Sequence, residues 1–147
     1  MSNAQTLLTL FMNKPRIAID TNVLVSAFRS SQGASSKLLE FVGTELFELN
    51  VSVPLFLEYE EKLQERTALS NQAIHDFLAF IFTHSITHKI YFKFPYTSDV
   101  KDIMLFDLAF KAQCHYVVSY NYRHLRELEK SGITIVTSKQ MLDILGI

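Results

Sequence analysis

From Pro15 onward, short β-rich runs alternate with stretches whose apolar residues recur at helical spacing. Arg16-Ile17-Ala18-Ile19-Asp20 is apolar up to a terminal acid and predicts a buried strand with a polar exit. Thr21 and Asn22 then suit the start of a helix carrying Val23, Leu24 and Ala27. Ser35 and Ser36 open a second helix with Leu38, Leu39 and Phe41, closed by Gly43. Phe47 to Val53 predicts the second strand. Pro54 suits a helix start, and Leu55 to Arg66 follows with Leu57 and Leu63 as inward candidates. Ser70 caps a long apolar helix to about Phe82. Ile90 to Phe94 is a third extended run, and Ser98 or Asp99 caps a helix with Ile103, Met104, Leu105, Leu108 and Ala109 on its apolar side. Tyr116 to Ser119 predicts a short buried strand, and Tyr122 to Lys130 a polar helix ended by Gly132. Ile133 to Val136 is the last strand, followed by a helix capped by Ser138.

Strands separated by helices pair in parallel through right-handed crossovers. The expected fold class is α/β, a three-layer α/β/α sandwich with a central, mainly parallel sheet. Residues 14–147 are expected to form one domain. Residues 1–13 are set apart as an N-terminal extension whose origin, natural or vector-derived, stays open. Ligands of such sheets bind beyond the carboxyl ends of the strands, near the point where strand order reverses.

The chain has 147 residues, 48% hydrophobic and 20% charged, which excludes global disorder. Four glycines and three prolines argue against a turn-rich β-sandwich. Fourteen basic and fifteen acidic residues give a net charge of −1, so any polyanion site must be local. The one cysteine, Cys114, excludes an internal disulfide and a cysteine zinc cluster, and its apolar neighbours predict a buried, inert thiol. His84 and His88 have i, i+4 spacing, but the sequence around them does not sustain a helix, so they are not expected to be ligands. Leu7 to Met12 is too short to span a membrane and lacks the basic flank of a signal peptide, so no membrane and a cytoplasmic location are expected.

Polar groups converge on the strand ends. Asp20 ends the first strand, Glu58 lies one turn into the helix after the second, and Asp99 and Asp102 begin the helix that feeds the fourth. Each has a structural alternative: Asp20 and Asp99 as helix caps, Glu58 as one charge of an exposed acidic face with Glu60 and Glu61. Together on one edge they repel each other and stay ionised only around a cation. Oxygen ligands without His or Cys select Mg²⁺ or Mn²⁺ over zinc, and the work of such a site is phosphoryl chemistry. Arg123, His124 and Arg126 follow Asn121 at a strand end and are candidate phosphate contacts. Arg29 and Lys37 are others, and Tyr120 and Tyr122 could stack on a splayed base.

The run Ile17-Ala18-Ile19-Asp20-Thr21-Asn22-Val23-Leu24-Val25-Ser26-Ala27 resembles the opening motif of PIN-domain proteins. Pro54 to Glu58-Tyr59, Asp99-Val100-Lys101-Asp102 and Tyr116-Val117-Val118-Ser119-Tyr120-Asn121 follow in the family's order. The resemblance is nearest to prokaryotic members described as toxin components of toxin–antitoxin pairs. It implies a Mg²⁺- or Mn²⁺-dependent ribonuclease. Asp20, Glu58 and Asp102 match the three catalytic acids. Asp20 would be the central metal ligand, Asp102 would complete its shell, and Glu58 would bind through water or orient the attacking water. Asp99 and Asn121 fall where further metal ligands stand. Arg123, His124 and Tyr120 would contact substrate, and Thr21, Asn22 and Ser119 would hold the carboxylates by hydrogen bonds. The partners implied are RNA and an antitoxin protein; a homodimer is a further expectation, from exposed apolar content. The chain departs from the pattern in Ser119-Tyr120 where Thr-Gly is usual, and in Val100-Lys101 where Pro-Asp is common. Those departures motivate the alternative of a PIN-like module that binds RNA or protein without cutting.

Overall fold

The computed structural model describes residues 14–91 and 100–147. Its centre is a sheet of five parallel strands in the order β3-β2-β1-β4-β5. These are β1 (Arg16–Ile19), β2 (Glu48–Ser52), β3 (Ser85–His88), β4 (Tyr116–Val118) and β5 (Thr134–Val136). Helices connect them: α1 (Thr21–Arg29) and α2 (Ala34–Glu40) between β1 and β2, then α3 (Val53–Arg66) and α4 (Asn71–Thr83) before β3. Helix α5 (Val100–Lys111) precedes β4; α6 (Tyr122–Leu125) and a 3₁₀ turn (Arg126–Ser131) precede β5; α7 (Ser138–Leu145) closes the fold. The class is the expected α/β sandwich, with every strand parallel.

Strand β1 is central because its apolar residues can be covered on both faces, and Ile17, Ala18 and Ile19 are all buried. It pairs with β2 through Ile17 opposite Leu49 and with β4 through Ile19 opposite Val118. The chain builds outward from β1 to β2 and β3, then crosses to β4 and β5. The order therefore reverses between β1 and β4, and the crevice of a parallel sheet opens at their carboxyl ends. The Asp20 amide still donates to the Val118 carbonyl at 2.9 Å, so the two strands stay zipped up to that point.

Several boundaries differ from the sequence expectation. The third described strand is Ser85–His88, directly after α4; of the expected run Ile90 to Phe94, Ile90 and Tyr91 are outside any strand and the remainder lies outside the described residues, as do all of 92–99. Among the described residues it is an edge strand with one neighbour and tolerates its polar Ser-Ile-Thr-His sequence. His88 there meets the Asn50 side chain at 2.8 Å, and His84 packs on Phe80, so the two histidines serve different neighbours. Leu63 is buried as expected, but Leu57 points to solvent. Six residues turn a helix through about 600°, which leaves those two about 120° apart around it, and the inward face of α3 is Leu55, Tyr59 and Leu63. The segment after β4 is a short helix and a 3₁₀ turn rather than one helix, ended by Gly132 in a left-handed conformation (φ +82°). Thr137, not Ser138, caps α7, in a reciprocal pairing with Gln140. Ser52 and Ser70 cap α3 and α4. Among the described residues no helix is long and apolar enough to cross a membrane.

Candidate functional site

Asp20 stands at the switch point, just past β1 and at the N-cap position of α1. Its side chain makes no capping bond. It accepts instead from the Ser119 hydroxyl across the crevice at 2.6 Å. Ser119 is buried after β4, and its oxygen in turn accepts the Asn121 amide at 2.9 Å. One serine thus shapes the turn leaving β4 and fixes the carboxylate leaving β1. Burial pushes the Asp20 carboxyl above its ordinary pKa. The Ser119 hydroxyl and the Thr21 amide pull it back, the charge of Asp102 pushes it up again, and His124 lowers it slightly.

Glu58 comes from the second turn of α3. Its Oε2 accepts from the buried Thr21 hydroxyl at 2.6 Å, so it is no free member of an exposed acidic face. Tyr59, the next residue, is fully buried and donates its hydroxyl to the Ile19 carbonyl, which clamps α3 onto the end of β1. Burial, with the charges of Asp20 and Glu58, holds that phenol well above its usual pKa, so it stays a donor. Asp102 projects from the first turn of α5 and is largely covered; its Oδ2 lies 3.5 Å from His124 Nδ1.

Asp20, Thr21, Asn22, Glu58, Asp102, Asn121 and His124 line one cleft of about 200 Å³. Other expected site residues fall elsewhere. Asp99 lies outside the described residues. Tyr120 does not line the cleft; its hydroxyl pairs with Ser35 at 2.7 Å, and Ser35 with Ser138 at 2.8 Å. Arg123 is exposed on α6 and does not line the cleft either. Asn22 accepts from Arg66 Nη1 at 3.3 Å. Two lining residues escaped the sequence reading, Lys62 and Arg66. The signal was present: they follow Glu58 at i+4 and i+8, on one face of α3.

Among the described residues, no three His, Cys, Asp or Glu side chains stand close enough to hold one ion, so the wider expected ligand set is not assembled as a cage. The donors nonetheless suit Mg²⁺ or Mn²⁺. Such ions keep several waters and bind through one or two carboxylates, and Asp20 and Asp102 supply two that repel each other in a partly buried cleft. A cation between them would offset both that repulsion and the burial cost of Asp20.

A parallel sheet with carboxylates in the crevice at its switch point defines an α/β protein with a ligand site beyond its strand ends. The family model for the PIN domain matches residues 16–123, and the chain belongs to that family. PIN domains are generally nucleases and typically use divalent metal ions. No curated protein matches the chain.

Proposed function

We propose that this PIN-domain protein is a Mg²⁺- or Mn²⁺-dependent endoribonuclease, acting in the cytoplasm as the toxin of a toxin–antitoxin pair. The observation that carries the nuclease reading is the Asp20 carboxylate, held by Ser119 at the switch point and facing Asp102 across the cleft. Asp20 and Asp102 would hold the ion, with Asn121 as a neutral oxygen beside them. An ion held there would supply polarisation of a phosphodiester and stabilisation of the departing oxygen. Glu58, fixed by Thr21, accepts a hydrogen bond from the attacking water and orients it. Ser119 and the Thr21 amide favour the ionised form of Asp20 and partly oppose its burial. The toxin role and its antitoxin partner are supported by the resemblance of the motifs alone; growth arrest on expression, relieved by a co-expressed neighbouring gene product, would test them.

The test of the nuclease reading is cleavage of a labelled single-stranded RNA in Mn²⁺ and in EDTA, with Asp20→Asn prepared identically. Cleavage by wild type alone, and only with metal, is expected. Equal cleavage by both proteins would identify a contaminant. A second reading, RNA binding without cutting, is favoured by one observation: Lys62, Arg66 and His124 put basic side chains in the same cleft as the carboxylates. It predicts RNA binding that is indifferent to chelator and to Asp20→Asn, with no cleavage.

A further inference from the structure

Helix α3 presents Glu58, Lys62 and Arg66 at i, i+4 and i+8, so one of its faces carries a carboxylate and then, at steps of about 6 Å, two cations. All three line the cleft that holds Asp20 and Asp102. The Lys62 side chain is only 11% exposed, so its stem is packed. Its ammonium lies 3.0 Å from Glu65 and 3.6 Å from Glu61, both at least half exposed. Arg66 is placed from two sides. Its Nη1 donates to Asn22 Oδ1 at 3.3 Å, and its carbonyl accepts from Arg29 Nε at 3.0 Å. These bonds tie the end of α3 to α1 and keep the guanidinium on the margin of the cleft.

The position of this pair answers an electrostatic problem. With a net charge of −1 the protein has no global field to draw in a polyanion, and the carboxylates repel one. A polyanionic strand laid over Asp20 needs compensating cations within a nucleotide or two of the reacting phosphate. We propose that Lys62 and Arg66 form a phosphate-binding subsite for the RNA backbone next to the scissile bond, a contact indifferent to base sequence; the assignment rests on the ribonuclease reading above. Lys62 serves as a point charge, and Arg66 as a planar fork for phosphate oxygens.

The experiment measures binding of a fluorescein-labelled single-stranded RNA in EDTA, where metal-dependent cutting is silent, across a series of salt concentrations. For single strands each neutralised phosphate contributes about 0.7 to the slope of log K against log salt. The variant Lys62→Gln with Arg66→Gln should lower the slope by about 1.4, and each single variant by about 0.7. Lys62→Arg with Arg66→Lys should keep the slope, which separates loss of charge from loss of fold. Lys130→Gln, which removes an exposed cation paired with Glu127, should also keep it. An unchanged slope in the double variant, a loss equal to it in Lys130→Gln, or no RNA binding by wild type would overturn the subsite. The slope and the cleavage assay fail separately. Slope loss in a protein that never cuts keeps Lys62 and Arg66 as a backbone-phosphate contact but removes the nuclease reading and with it the scissile bond; cutting with an unchanged slope keeps the nuclease reading and overturns the subsite.

Discussion

Ser119→Ala removes the residue that couples the two strands flanking the crevice. Two hydrogen bonds are lost: the donation to Asp20 at 2.6 Å and the acceptance from the Asn121 amide at 2.9 Å. Asn121 is exposed, so water replaces the second at little cost. The first is charge-assisted and sits in a buried setting, where such bonds contribute about 1.5–3 kcal/mol. Taking about 2 kcal/mol and about 3 °C per kcal/mol for a chain of this size, the melting temperature should fall by roughly 6 °C at neutral pH. The loss should also depend on pH. In the wild type the Ser119 hydroxyl lowers the Asp20 pKa, so its removal raises that pKa further. The penalty is then full where Asp20 is ionised and shrinks as pH falls through its folded pKa, because the charged half of the bond disappears. Thermal melts of both proteins in EDTA, at neutral and acid pH, measure this. An equal loss at both pH values, or none at neutral pH, would refute the assignment of Ser119 as the residue that holds the Asp20 charge.

Asp20→Asn should stabilise the metal-free protein at neutral pH. A folded carboxyl raised above its ordinary 3.8 binds protons the unfolded chain has released, so it costs stability increasingly as pH rises through that window. The gain should vanish as pH falls toward 3.8, and a gain that persisted there, read from the same melts, would show that burial of the charge is not its source. Leu63→Ala should cost about 2–5 kcal/mol in urea unfolding, whereas Leu57→Ala should change stability by less than about 0.5 kcal/mol, because only Leu63 is enclosed by the core. Cys114, buried and with its thiol pushed up to about 12, should resist iodoacetamide in the native protein at neutral pH and react once the chain is unfolded; native labelling at the unfolded rate would contradict its burial.

What the sequence displayed follows from which signals are local. The strand Ile17-Ala18-Ile19 and the caps Ser52 and Ser70 depend on nearest neighbours, although Ser52 stood unrecognised inside the second strand run. The order of strands and helices was enough to put Asp20, Glu58 and Asp102 on one rim, since parallel strands share their carboxyl ends. Other features depend on contacts distant in sequence. Ser85–His88 is a strand because β2 offers it a partner, and nothing in its half-polar residues announces that. Tyr120 is drawn from the cleft by Ser35, 85 positions away. Thr137 rather than Ser138 caps α7 because Gln140 completes a reciprocal pair. Lys62 and Arg66 were a different case: their spacing from Glu58 was legible, but one helix face carrying both signs of charge ordinarily reads as a solvated surface.

The account stands on Asp20 and Asp102 holding a divalent ion at the end of the sheet. Calorimetric titration of Mn²⁺ into the metal-free protein, beside Asp20→Asn, Asp102→Asn and the remote Asp143→Asn, tests that most directly. The account predicts saturable binding to wild type and Asp143→Asn, and its loss in each of the other two variants while their melts stay cooperative. Equal Mn²⁺ binding by all four proteins, or none by the wild type, would contradict it.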